Sequence, residues 1–130
     1  MSEFSNSLAV SASALKAQAT RLRHVSENIS NADTPGYRRK TVPFESVRDI
    51  SSDVESVEVG RVHLDRTELS KVYDPSHPMA DASGHYEGSN VDLMIEIADA
   101  REAQRSYEAN LKMFDQTRQM SSSLMELLRR

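Results

Sequence analysis

Four histidines and two aspartates are the side chains of this chain that could bind a metal ion or support hydrolysis. They are His24, His63, His77, His85, Asp74 and Asp81. No H-E-x-x-H motif is present, and the spacing of His77 and His85 matches no zinc site. Cysteine is absent, and no serine has a base and an orienting partner at a recognisable spacing. The sequence therefore predicts a protein that is not an enzyme, with no metal, no cofactor and no small-molecule substrate.

The charged residues give no sign of a nucleic-acid partner. The net charge is −4, from 20 acidic and 16 basic residues spread along the chain. The densest basic run, residues 38–40, is followed by Glu45 and Asp49. A solvated loop explains this run better than a stripe that neutralises phosphates.

The apolar content is low for a domain that must fill its own core. Only 38% of the residues are apolar, against a typical share of roughly 45–50%. We therefore expect partner chains to complete the core.

The helix-breaking residues divide the chain into three parts. All of them lie between residues 35 and 88, and they are Pro35, Pro43, Pro75, Pro78, Gly36, Gly60, Gly84 and Gly88. Each costs about 1 kcal/mol (Gly) or about 3 kcal/mol (Pro) inside a helix. The prediction is a mainly α fold: an N-terminal helix with its exit signature (1–34), an extended arm (35–88) and a C-terminal helix (89–130).

Both flanks carry apolar or small residues at heptad-like spacing, which predicts two long helices that pack in a coiled-coil-like bundle. The seam of the first flank is Leu8, Ala12, Leu15, Ala19, Leu22 and Ile29. The seam of the last flank is Leu93, Ile97, Ala100, Tyr107, Leu111, Phe114, Met125 and Leu128. Gln104 and Arg118 interrupt the second seam. They either fix its register or lie at its edge.

The arm has one strand-like segment, and its end has capping residues. Alternating valines predict a small strand or hairpin within residues 54–66, with Gly60 as a bulge or turn. Ser89 or Asn90 is expected to cap the C-terminal helix, with Asp92 as the acidic partner.

The exit of the first helix has the residues of a fixed turn. Asn31 can bond its own backbone, Thr34 can cap it, and Pro35-Gly36 sets a turn in which Gly36 is free to take a positive φ. Tyr37 then leads away extended. We call Asn28, Asn31, Thr34, Pro35, Gly36 and Tyr37 the hinge signature.

The segment from Asn28 to Arg38 resembles the N-I-S-N-x-x-T-P-G-Y-[KR] signature of flagellar rod and hook proteins. Further matches to the C-type basal-body rod proteins are residues 73–78, 80–82, 90–92 and 106–110. Residues 45–68 match least. Two departures are Ser89, where relatives are expected to have proline, and the more charged stretch 94–104. The short arm leaves no room for the large inserted domain of distal rod and hook proteins.

The resemblance implies a structural subunit of the proximal rod, the shaft that transmits motor torque across the periplasm. The implied partners are copies of the chain, other proximal and distal rod proteins, the MS-ring junction and the flagellar type III export apparatus. Export would need no cleavable signal peptide, and residues 1–15 lack a basic start followed by an apolar stretch. The alternatives are a B-type proximal rod protein and, from the heptads alone, a cytoplasmic coiled-coil adaptor.

Overall fold

Two long helices form the body of the protein, as shown by a computed structural model that describes residues 3–129. Helix α1 spans Glu3–Ser30 and helix α2 spans Leu93–Arg129. They run antiparallel, since Asn28 near the end of α1 bonds Glu96 at the start of α2, while Phe4 lies against Met120. The predicted mainly α fold with two terminal helices is confirmed. The outermost positions of the predicted parts, residues 1 and 130, lie outside the described residues.

The start of α2 differs from the expected cap. The side chain of Asp92 accepts a hydrogen bond from Met94 N at 3.0 Å and caps the helix, because its carboxylate can reach the free amides of the first turn. Ser89 and Asn90, the expected caps, instead bond other parts of the chain. The prediction that either of them caps the helix was wrong.

The arm contains six short strands, arranged as three two-stranded antiparallel sheets. They are β1 (Lys40–Thr41), β2 (Phe44–Asp49), β3 (Val54–Val59), β4 (His63–Leu64), β5 (Lys71–Tyr73) and β6 (His85–Glu87). The pairs are β1 with β4, β2 with β3, and β5 with β6. The arm therefore holds more strand pairing than the single hairpin that the valines predict.

The longest pair, β2–β3, lies only partly within residues 54–66, where the valines predict a strand or hairpin. Strand β3 lies where the valines place it, but it pairs with β2 before it in sequence. The turn between them places Asp53 at φ 54°, and Asp49 accepts a hydrogen bond from Ser51 N at 2.9 Å. Gly60 is not a turn residue. Its N–H donates to Pro43 O at 2.9 Å and closes the end of the hairpin.

The core of the single chain is small. Among the described residues the buried apolar side chains are Ala17, Val25 and Ala103, while Ser11, Asn28, Ser89 and Glu96 are buried polar residues. Strand β3 adds to the packing along α1, where Val57 N donates to Ser13 Oγ at 3.1 Å. The parts of the chain are therefore joined largely by polar contacts, as the low apolar content suggests.

The candidate metal ligands are dispersed. His24 lies in α1 and His63 in β4, while the ring of His77 stacks on Tyr86 with centroids 3.9 Å apart. Among residues 3–129 no group of three or more His, Asp or Glu side chains is placed to hold a metal ion. Neither helix, over its described length, is long and apolar enough to cross a membrane.

Candidate functional site

Two features of the described structure are candidates for function: a polar cluster where the arm meets both helices, and an apolar side of the helix pair. The cluster consists of Asn28, Tyr37, Arg39, Lys40 and Glu96, and we call it the joint. It lies where α1 ends, where the arm begins and where α2 starts. Asn28 and Glu96 are both fully buried there, at 0% exposure.

Asn28 uses its whole side-chain amide in the joint. Its Oδ1 accepts hydrogen bonds from Lys40 N at 2.9 Å and from the Tyr37 hydroxyl at 2.8 Å. Its Nδ2 donates to Lys40 O at 2.9 Å and to Glu96 Oε2 at 3.3 Å. A buried amide with every group bonded rigidifies its surroundings. Asn28 therefore fixes the first arm residues against the end of α1.

Glu96 joins α2 to the same cluster through a buried ion pair. Its Oε1 accepts a hydrogen bond from Arg39 Nε, and Arg39 also approaches Asp99 at 3.9 Å. Asp99 pairs in turn with Arg21 of α1. Burial of a carboxylate is costly unless it is paired and hydrogen-bonded, and both oxygens of Glu96 have a partner here.

Tyr37 closes the outer side of the joint. Its hydroxyl donates to Asn28, and partial burial raises the pKa of Tyr37 above its ordinary value, with the charges of Glu27 and Glu96 adding to the effect. Beside it, the hydrogen bond from Lys40 lowers the pKa of Glu27. The Lys40 ammonium lies 3.3 Å from Glu27 Oε2 at the surface.

Asn90 ties the joint to the second half of the arm. Its Oδ1 accepts from Arg39 N at 2.7 Å. Its Nδ2 donates to Asp65 O at 2.9 Å and also approaches Thr67. One side chain thus fixes three stretches of chain that are distant in sequence.

Ser89 and Gly36 secure the turn from the other end of the arm. The Ser89 hydroxyl donates to Ala32 O, and Gly36 N donates to Gly88 O at 3.0 Å. Gly36 has φ +76°, and an added Cβ would meet no atom within 4 Å. Its requirement for glycine is therefore conformational and not steric.

The structure brings part of the hinge signature into the joint. Asn28 and Tyr37 belong to it, whereas Asn31 and Thr34 bond each other at 3.1 Å within the exposed turn. Asn31 also donates to Glu27 O at 2.9 Å. Pro35 precedes Gly36 at the turn. The signature therefore divides into an inner pair that holds the arm and an outer set that shapes the turn.

Leu8, Leu15 and Leu22 of the first seam are half-buried and lie on the side of α1 away from β3. Arg21 faces α2 through its pair with Asp99, and Thr20 lines a groove together with β3. Consecutive helical residues are rotated by about 100°, so Leu22 lies on the side of Arg21 opposite to Thr20. The same spacing places Leu8, Leu15 and Ile29 along one line with Leu22.

Part of the second seam lies on the same side of the helix pair. Because antiparallel helices wind with the same hand, the residues that follow the contact positions of both helices project to one side. Ile97 follows Glu96, and it is 46% exposed, while Leu111 is 40% exposed. We call this surface the seam side. It contains Leu8, Leu15, Leu22, Ile29, Leu93, Ile97 and Leu111, whereas Ala100, Tyr107 and Phe114 are half-buried near the line of Glu96 and Ala103 on α2.

The remaining seam residues are more exposed. Ala12 and Ala19 are exposed on α1, and Met125 and Leu128 near the end of α2 are 62% and 77% exposed. Ser11, Val25 and Ala103 are buried within the single chain.

Sequence reasoning missed the residues that hold the joint from the α2 side. Glu96 and Asp99 were not predicted as contact residues, Asn90 was expected only as a helix cap, and Arg39 was assigned to a solvated basic run. The one available signal was the unusual charge of residues 94–104, which contains both acidic partners of Arg39.

Two family profiles match the chain at its two ends. The profile described as flagella basal body rod protein matches residues 8–38. The profile described as flagellar basal body rod FlgEFG protein C-terminal matches residues 82–127. In the structure these ranges meet at the joint, since Asn28 lies in the first and Glu96 in the second.

Curated relatives match almost the whole chain. The flagellar basal-body rod protein FlgC of Agrobacterium fabrum is 49% identical over 127 residues, which cover 92% of this chain and 91% of the relative. The chain belongs to the flagellar basal-body rod protein family. The proteins of the same name from Bacillus subtilis (34% identical, 94% of this chain and 96% of the relative) and Salmonella typhimurium (32%, 91% and 92%) agree.

Membership of the rod family confirms the resemblance found in the motifs. These relatives are named as rod proteins and not as enzymes, which confirms the prediction of a non-enzymatic protein. A rod-family protein is located in the basal body and assembles there with other rod components. The joint and the seam side are therefore to be understood as parts of a subunit in an assembly.

Proposed function

We propose that this chain is a structural subunit of the proximal rod, and that the seam side is its principal contact with neighbouring subunits. The observation that carries the proposal is an apolar line on the side away from β3, which is half-buried at the leucines of α1 and exposed at Leu93, Ile97 and Leu111 of α2. Such a face gains free energy when a neighbour removes it from water. The neighbours would be copies of this chain and other rod proteins.

The three parts of the chain would then have separate roles. The helices, within residues 1–34 and 89–130, would form the wall of the shaft, and the arm of residues 35–88 would lie against adjoining subunits. Head-to-tail contacts that do not close produce open helical assemblies. The joint supports this role because it holds the arm at one angle in every copy.

The proposal includes a location and a route. The subunit would act in the periplasm, between the MS-ring junction and the distal rod, and would transmit torque passively. It would reach that position through the flagellar type III export apparatus, without a cleaved signal peptide.

Mass spectrometry on purified hook and basal-body particles tests the function directly. Particles are prepared from cells that carry the chain and from a deletion strain, and the export-apparatus proteins are stripped with detergent and acid. Recovery of the full-length chain with the rod proteins is the expected result. Its absence from the particles, with the chain found soluble in the cytoplasm, would refute the proposal.

A further inference from the structure

The fully buried carboxylate of Glu96 connects all three parts of the chain. Arg39 of the arm donates to its Oε1, and Asn28 of α1 donates to its Oε2 at 3.3 Å. Glu96 itself lies in the first turns of α2. Its side chain has 0% exposure, whereas that of Arg39 has 22%.

The charge of Glu96 has a cation beside it when the arm is docked, but not when the arm is free. With the arm docked, the guanidinium of Arg39 compensates the carboxylate. If the arm left while the helices stayed paired, Glu96 would keep Asn28 but lose its closest cation. Asn28 and the ends of the helices would still restrict water around the unpaired carboxylate, which is unfavourable, so the intermediate with paired helices and a free arm is depleted.

We propose that the Glu96–Arg39 pair is a coupling element, which makes docking of the arm and pairing of the helices a single cooperative transition. Glu96 and Arg39 are positioning residues in this sense. The pair prevents a subunit with formed helices from presenting its arm at a wrong angle. This inference concerns the folding of one chain and does not depend on the rod as its destination.

The other ion pairs near the joint do not provide this coupling. Arg21 and Asp99 both belong to helices, so their pair is unaffected when the arm leaves. The pair of Lys40 with Glu27 connects the arm to α1, but the side chains are 32% and 44% exposed. Water replaces the lost partner of an exposed charge at little cost.

Amide hydrogen exchange, measured by NMR on the purified full chain, tests the coupling. The amides of Arg39 and Lys40 report on the arm, because the side chains of Asn90 and Asn28 hold them. The amides of Val25 and Ala103, at buried positions of α1 and α2, report on the helices. The variants are Arg39→Gln, Glu96→Gln and the double substitution.

Arg39→Gln leaves the buried carboxylate without its cation, so exchange should accelerate by at least about tenfold at both arm and helix reporters. Glu96→Gln removes the charge itself. The arm reporters should then exchange faster while the helix reporters stay within about twofold of the unmodified chain, because opening of the arm no longer strands a charge. The double variant should restore the protection from exchange that the helix reporters lose in Arg39→Gln.

Arg48→Gln is the matched control, since Arg48 and Asp53 form an arm ion pair with exposures of 63% and 78%. It should leave all four reporters unchanged. The inference is overturned if the double variant protects the helix reporters no better than Arg39→Gln does, since a purely structural arginine would show no such rescue. It is also overturned if Arg39 and Lys40 are unprotected in the unmodified chain.

Discussion

The side-chain amide of Asn28 forms two hydrogen bonds with the main chain of Lys40. Lys40 N donates to Asn28 Oδ1 at 2.9 Å, and Asn28 Nδ2 donates to Lys40 O at 2.9 Å. A neighbouring strand would bond a peptide group in the same way. The end of α1 therefore bonds β1 as a neighbouring strand would. It also sets the direction in which the arm leaves the helix.

Replacement of Asn28 by aspartate should destabilise the chain by at least about 2 kcal/mol, because it exchanges a buried donor for an acceptor. The new carboxylate would face Lys40 O and lie next to the carboxylate of Glu96. Urea unfolding, followed by circular dichroism of the helices, measures the loss. The arm should detach at lower urea concentration than in the unmodified chain.

Asn110→Asp is the matched control for this substitution. Asn110 donates to Ser106 O at 2.9 Å within one helix, where the side chain is half-buried. Loss of this local bond should cost less than about 1 kcal/mol. Equal losses for the two variants would show that the joint contributes nothing beyond an ordinary hydrogen bond.

Gly36→Ala should destabilise the chain by about 1–2 kcal/mol through backbone strain alone. Its φ is +76°, and there is space for a methyl group. Gly36→Asn should be milder, because asparagine tolerates the left-handed region better than alanine. The midpoints of urea unfolding decide the order of the three chains. An alanine variant as stable as the unmodified chain would mean that the turn can change its conformation at no cost.

The stability of the joint should fall at high pH because of Tyr37. Burial raises the pKa of Tyr37, and its neutral hydroxyl donates to Asn28. The contribution is therefore fully present below the ordinary tyrosine pKa of about 10, and it is lost as the pH rises through the higher pKa of the folded state.

Urea unfolding at about pH 8 and about pH 10.5 measures this contribution. The free energy of unfolding should fall more in the unmodified chain than in Tyr37→Phe, which has no hydroxyl to ionise. Tyr73→Phe is the control, since Tyr73 is 67% exposed. An equal fall in the unmodified chain and in Tyr37→Phe would contradict the role given to Tyr37.

The fold was predictable where local rules decide it. The distribution of prolines and glycines indicated both helices, because each breaker acts on its own neighbourhood. Gly36 was expected to be free to take a positive φ, and its φ is positive in the structure. The turn chemistry of Pro35-Gly36 is local in the same sense.

The joint was not predictable because it depends on contacts between residues far apart in sequence. Glu96 is of a residue type that is usually exposed on a helix, and its burial depends on contacts with Asn28 of α1 and Arg39 of the docked arm. The register of the hairpin likewise depends on the turn between Asp49 and Val54, which alternation of valines alone does not specify. The assignment of the seam residues to contacts with neighbours stays a prediction.

A charge on the seam side should abolish assembly and leave the single chain folded. Leu15 is half-buried and Leu111 is 40% exposed in the isolated subunit, so aspartate at either position can be solvated until a neighbour covers it. Burial of the unpaired charge in the assembled rod would then be prohibitive. Leu15→Asp and Leu111→Asp should each give non-motile cells whose basal bodies lack a complete rod, as seen by electron microscopy.

Ile50→Asp is the control, because Ile50 is 99% exposed at the tip of the hairpin, away from the seam side. Normal swimming of both leucine variants would show that rod contacts lie elsewhere, whereas loss of helix content in the purified variants would show that these leucines support the single chain instead.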